Sequence, residues 1–216
     1  MLRTAQQIET QIESTTQLQV VISQRIEASI AVKQRLLRHT EICAEVVERI
    51  IRAYRKGNKV LLFGNGGSAA DAQHIAAEFV GRFYLDRSAL PAQALTVDTS
   101  SLTAIGNDYA YDQIFSRQVE AFGQAGDVAI GISTSGNSRN VIEALRAAKR
   151  KGIVVVGMTG ENGGQLKAEV DYCICVPSRD TPRIQEAHIL IGHILCELVE
   201  QALFGSSNVW CEIERT

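Results

Sequence analysis

The sequence predicts an α/β protein: an open, doubly wound parallel sheet of five strands flanked by helices, with a helical extension at the N-terminus. Two observations predict it. Val60-Leu61-Leu62-Phe63, Val128-Ala129-Ile130-Gly131-Ile132, Ile153-Val154-Val155-Val156 and Cys173-Ile174-Cys175-Val176 are short apolar runs without polar alternation. Such runs fit strands buried on both faces, as in a parallel sheet. Ala92-Gln93-Ala94-Leu95 is a weaker fifth. Helical stretches over 69–80, 111–122, 141–151 and 181–204 lie between and after these runs, and strand alternating with helix is the pattern of a doubly wound sheet. Ligands of such sheets bind at the carboxyl ends of the strands, in the strand-to-helix loops.

Residues 1–56 read as helix throughout. Ile8, Ile12, Ile22, Ile26 and Ile30 mark one apolar face at mostly four-residue spacing, and Cys43, Val46, Val47, Ile50 and Ile51 mark another. So long a face, ahead of any strand, is expected to pack on a partner helix of this subunit or another. The expected division is a helical oligomerisation segment at 1–56, an α/β domain at 57–205 and a tail at 206–216.

Composition narrows the function. A net charge of −2 gives no general attraction to nucleic acid or anionic lipid, so any anion must be caught by local geometry. The first 16 residues lack a basic stretch followed by an apolar run, so no signal peptide is expected. No run reaches the roughly 20 apolar residues of a membrane span. The five cysteines show no CxxC spacing and read as reduced thiols of a cytoplasmic protein, most of them small core residues.

Two loops look built for phosphate. The first strand runs into Gly64-Asn65-Gly66-Gly67-Ser68 and then a helix. Glycines let backbone approach a ligand, Ser68 is placed to cap the helix, and the helix N-terminus favours an anion. A tight turn with an N-cap is the plain alternative. The segment also matches a loose GxGxxA dinucleotide pattern, but no acidic residue closes a second strand at the interval that would hold a ribose. The strand ending at Ile132 runs into Ser133-Thr134-Ser135-Gly136-Asn137-Ser138, which sets four hydroxyls beside another helix N-terminus. No GK[ST] Walker pattern is present. A Ser-rich turn alone is unremarkable, but two such loops on one sheet point to a phosphomonoester site.

His74 and Glu78 stand four apart on the helix after the glycine loop, on one face. Gln185 and His193 stand eight apart on the last helix, with His188 between them on another bearing. Spacing alone leaves open a surface His–Glu pair and a satisfied core histidine.

The two loops resemble those of sugar isomerase (SIS) domains over residues 58–203, which implies the SIS fold. Within that group His74, Glu78, Gln185 and His193 are similar to the pattern of phosphoheptose isomerases (sedoheptulose 7-phosphate isomerases). The resemblance implies that these four hold one zinc ion per subunit, with Glu78 and His193 moving protons as base and acid. It also implies substrate contacts from Asn65, Gly66, Gly67, Ser68, Asn107, Asp108, Ser133, Thr134, Ser135, Ser138 and Gln185. Gly81-Arg82 resembles the family too. The implied activity converts sedoheptulose 7-phosphate to D-glycero-D-manno-heptose 7-phosphate for nucleotide-heptose biosynthesis, in a cytoplasmic homotetramer, with no nucleic-acid or membrane partner. The alternative is a non-catalytic relative that binds the replication initiator DnaA, which Arg183-Ile184-Gln185-Glu186 and Leu203-Phe204 resemble. That relative's pattern lacks the counterparts of Glu78 and His193. A sugar-phosphate-sensing transcription regulator would need a helix-turn-helix that residues 1–56 do not suggest.

Overall fold

The computed structural model describes residues 15–205. It begins with helix α1 (Thr15–Leu36), a 3-10 turn at Leu37–His39 and helix α2 (Thr40–Arg55). Five strands follow: β1 (Val60–Gly64), β2 (Ala92–Ala94), β3 (Val128–Ser133), β4 (Val154–Thr159) and β5 (Tyr172–Cys175). All pair in parallel, in the order β2-β1-β3-β4-β5. Every residue of β1 and β3 is buried, as their unbroken apolar runs require.

Side chains alternate across the sheet and divide the core in two. Leu62, Ile130 and Met158 face helix α2, helix α3 (Gly67–Val80) and helix α7 (Thr181–Phe204). Leu61, Phe63, Ala129 and Val155 face helix α5 (Ser116–Phe122) and helix α6 (Arg139–Arg150). Helix α7 is long and apolar enough by composition to cross a bilayer, against the sequence expectation, but half of its most apolar window is buried. Its Ile184, Ile191, Leu195 and Val199 are core residues of the sheet's first face.

Three differences from the sequence reading are informative. Helix α4 (Thr99–Asp108) was not expected, because its polar first turn shows no apolar period; Asp98 starts it by accepting the Ser101 N–H at 3.0 Å. The helix expected over 111–122 divides into a 3-10 turn at Tyr111–Gln113 and α5. The N-terminal helix is likewise interrupted by the turn at Leu37–His39. Of its two faces, Val46, Val47 and Ile50 of α2 are buried within the subunit, whereas Val21, Ile22, Ile26 and Ile30 of α1 remain exposed. Ile8 and Ile12 lie outside the described residues, as does the tail 206–216.

Candidate active site

Strands β1 and β3 are neighbours, yet β1 leads to β2 on one side and β3 to β4 on the other. This is the switch point where a doubly wound sheet opens a crevice, and both candidate phosphate loops lie there. Asn65 bridges it. Its Nδ2 donates to Asn140 Oδ1 and its Oδ1 accepts from Asn140 Nδ2, both at 2.9 Å. The Tyr111 hydroxyl donates to the same Asn65 oxygen at 3.0 Å. Gly66 has φ +57°, a conformation that favours glycine, and precedes α3 with no side-chain cap. The expectation that Ser68 caps this helix is corrected. The helix already starts at Gly67, so Ser68 sits buried in its first turn, packed against Gly64.

In the second loop Ser133 Oγ and Ser138 Oγ lie 2.9 Å apart, and Ser135 Oγ accepts the Asn137 N–H at 3.1 Å. Gly136, at φ +66°, packs so closely on the Gly163 backbone that a Cβ would not fit. Ser138 precedes α6 without capping it through its side chain. Thr134 and Ser135 open onto a cavity of about 220 Å³, with Gly160, Ser178 and Thr181. Asn65 and Gly66 open onto a second of about 370 Å³, shared with Gly106 and Tyr111. Asn107 and Asp108 follow Gly106 at the end of α4, where the Asn107 amide donates to Asp108 at 2.8 Å. The hydroxyls and the N-termini of α3 and α6, neither capped by the residue before it, thus follow the carboxyl ends of the neighbouring strands β1 and β3, an arrangement suited to a phosphate.

Helices α3 and α7 place the ionisable groups. Gly192 makes their approach possible, since a Cβ there would lie 2.6 Å from the Ile75 side chain. His74 Nε2 then meets His193 Nε2 at 2.9 Å and Glu78 Oε1 at 3.3 Å. The three ligand atoms all lie within 4.8 Å of one another. Nitrogens on a tetrahedral zinc ion with bonds near 2.05 Å would stand about 3.3 Å apart, so the donor set and spacing fit that ion with small adjustment. Gln185 stands elsewhere on α7. Its amide packs directly against Gly67, eight residues, or about 12 Å of helical rise, before His193.

His188 does not join the site. It is fully buried, its Nε2 lies 3.2 Å from the Thr159 carbonyl, its Nδ1 has no partner, and burial pulls its pKa down to about 4. Sequence reasoning missed Asp71, one turn before His74, whose carboxyl burial pushes up to about 6 against the opposing effect of His74. It also missed Asn140 and Tyr111, which no local signal pairs with Asn65.

Residues 10–160 match the family model described as SIS domain. The chain is 59% identical over 191 residues to the phosphoheptose isomerase of Aneurinibacillus thermoaerophilus, covering 87% of this chain and 96% of that one. Among solved structures, phosphoheptose isomerase GmhA from Neisseria gonorrhoeae aligns with a TM-score of 0.81 at 46% identity, over 85% of this chain and 99% of that one. A phosphoheptose isomerase from Francisella tularensis aligns with a TM-score of 0.81 at 36% identity, over 83% and 96%. These relatives give the initiator-binding alternative no support. With this sheet order, these loops and these likenesses, the chain belongs to the phosphoheptose isomerase family of SIS-domain proteins.

Proposed function

We propose that this protein interconverts sedoheptulose 7-phosphate and D-glycero-D-manno-heptose 7-phosphate through an enediol, supplying nucleotide-heptose biosynthesis in the cytoplasm. The observation that carries the proposal is the convergence of His74, Glu78 and His193, carried by the same two helices, α3 and α7, that meet at the glycine loop through Gly67 and Gln185. The 59% identity to a named phosphoheptose isomerase supports it.

The reaction removes a proton from the carbon beside a carbonyl and returns one to the neighbouring carbon, so it needs a placed base and an acid near the oxygens. Ser133, Thr134, Ser135 and Ser138 hold the phosphate together with the helix N-termini, and Asn65, Gly66, Gly67, Ser68, Asn107 and Asp108 contact the rest of the substrate. Glu78 is the base and His193 the acid. A zinc ion, one per subunit, held by His74, Glu78, His193 and Gln185, would polarise the substrate's carbonyl and hydroxyl oxygens. Gln185 would have to swing from Gly67 to complete that set; where it packs, it lies against the glycine loop, and there it would contact the substrate. Glu78 carries two duties that compete, because a carboxylate on a metal is a weaker base. The exposed stripe of α1 supports a homo-oligomer, a tetramer by the family resemblance. Under this division residues 1–56 serve assembly, 57–205 form the catalytic unit and 206–216 are a tail.

The test is conversion of sedoheptulose 7-phosphate by purified protein, followed by NMR, with metal analysis and with and without a chelator. Near-stoichiometric zinc and chelator-sensitive product formation are expected. Folded, zinc-loaded protein that makes no aldoheptose phosphate would sink the proposal. Glu78→Gln should lower turnover by roughly 10²–10⁴-fold with little loss of phosphate binding; turnover that survives would remove Glu78 as the base.

A further inference from the structure

Cys173 and Cys175 were expected to be small core residues, but β5 is the edge strand of the sheet and neither is fully buried. Residues two apart on a strand point to the same face, and here the two Sγ atoms lie 3.5 Å apart. The Thr159 hydroxyl at the end of β4 donates to Cys175 Sγ at 3.5 Å and lies 3.8 Å from Cys173 Sγ. Two residues of strand rise separate Cα atoms by about 6.6 Å, within the roughly 4.4–6.8 Å that a disulfide spans. A disulfide also needs the Cβ atoms within about 4.5 Å, so closing the pair bends β5 locally, which a strand paired on one side only can do.

We infer that Cys173 and Cys175 form an oxidisable dithiol site, in which a hydroperoxide converts the two thiols to a reversible intrastrand disulfide. The electronic asymmetry of the pair agrees with this. The hydrogen bond from Cys173 holds the Cys175 thiol down, to about 6, with help from the Thr159 hydroxyl and the charges of Lys167 and His39. The same bond and burial push Cys173 up. The Thr159 hydroxyl, which donates to Cys175 Sγ, favours the thiolate there, so Cys175 attacks and Cys173 resolves.

The chemistry balances in two steps. The Cys175 thiolate attacks one peroxide oxygen, the O–O bond breaks, and the leaving oxygen departs with the electron pair as hydroxide or alkoxide, leaving Cys175 as a sulfenic acid. The Cys173 thiol loses its proton to that base and its sulfur attacks the sulfenic sulfur. The S–S bond forms as the S–O bond breaks, and the hydroxide that leaves takes from solvent the proton that Cys175 gave up when it became a thiolate. Two thiols are oxidised and one peroxide is reduced.

Trypsin cleavage after Lys167 and Arg179 gives peptide 168–179, which contains Cys173 and Cys175 and none of the other cysteines. Full-length reduced protein is treated with limiting hydrogen peroxide, alkylated with N-ethylmaleimide, digested and weighed. The expected peptide is unalkylated and two hydrogens lighter than the dithiol, and dithiothreitol before alkylation restores double labelling. Cys173→Ser should leave a Cys175 sulfenic acid that dimedone traps, and Cys175→Ser should slow reaction of the peptide roughly tenfold by removing the thiolate. Doubly alkylated peptide under peroxide that oxidises Cys43 or Cys211 would overturn the inference. So would oxygen accumulating on Cys175 of the unaltered protein while Cys173 stays free, a readout that needs no variant to fold.

Discussion

Arg87 and Glu200 form an ion pair of 2.9 Å whose side chains are only 2% and 1% exposed. Each also ties down backbone. Glu200 accepts the N–H groups of Phe83, Tyr84 and Leu85 at 2.7–2.8 Å, and Arg87 donates to the carbonyls of Glu78, Phe79, Gly81 and Ser88. The pair thus anchors the loop after α3 to α7, directly behind Glu78 and beside Phe83, whose ring lies 5.8 Å from that of His193. Burial alone would raise the Glu200 pKa, but the three N–H groups and the guanidinium outweigh it and hold the carboxyl below its ordinary value of 4.5.

Arg87→Met should destabilise the fold by about 3–5 kcal/mol, because it leaves a carboxylate buried without its cation. The measurement is the urea midpoint of the variant against the parent protein. An unchanged midpoint would show that the three N–H groups satisfy Glu200 by themselves.

His188 and Glu200 should each make the fold less stable in acid, in separate pH ranges. His188 has a folded value of about 4 against an ordinary 6.5, so the unfolded chain takes up the proton first. Its contribution is complete above about pH 6.5 and declines as pH falls toward 4. Glu200 is also depressed, so its contribution is complete above about pH 4.5 and declines below that. Asp71, pushed up to about 6, works the other way between about pH 6 and 4, so the His188 part is read as a difference. In urea titrations between pH 7 and 4 His188→Gln should lose less stability than the parent protein, while the loss below about pH 4.5 remains.

Gly67→Ala should impair the site without unfolding the protein. The added methyl occupies the place of the Gln185 amide and must displace that side chain. Under the proposed function, KM for sedoheptulose 7-phosphate rises roughly tenfold or more, on the scale of one lost hydrogen bond to a charged group. Equal kinetics for variant and parent would remove Gln185 from the substrate's surroundings.

Ile26→Glu on α1 should reduce the oligomer's size in sedimentation and leave the α/β domain's circular dichroism intact. Ile26 is 57% exposed in the single chain, beside exposed Ile22 and Ile30, so the change costs little unless another subunit covers it. An unaltered sedimentation coefficient would place assembly on another surface.

The sheet was legible because strands buried on both faces leave unbroken apolar runs. Its switch-point loops were legible because glycines and hydroxyls cluster where such strands end. The His74–Glu78 pairing could be read as well, since four residues of helix fix it locally. Helix α4 could not, because a polar segment started by Asp98 carries no apolar period. Ser68 was misjudged as a cap by a shift of one residue at the helix start, a boundary that depends on how Gly66 turns.

By itself the sequence determined the repeated strand–helix units, the two loops rich in glycine and hydroxyls at the strand ends, and the local half of the ionisable cluster, all consequences of short-range periodicity and turn chemistry. Tertiary structure alone decided the rest. His74 meets His193 across 119 residues and Asn65 meets Asn140 across 75. Arg87 finds Glu200 across 113, and Cys175 leaves the core for a sheet edge. Such contacts follow from strand order and from how closely α3 and α7 can approach, and neither is written in the spacing of neighbouring residues.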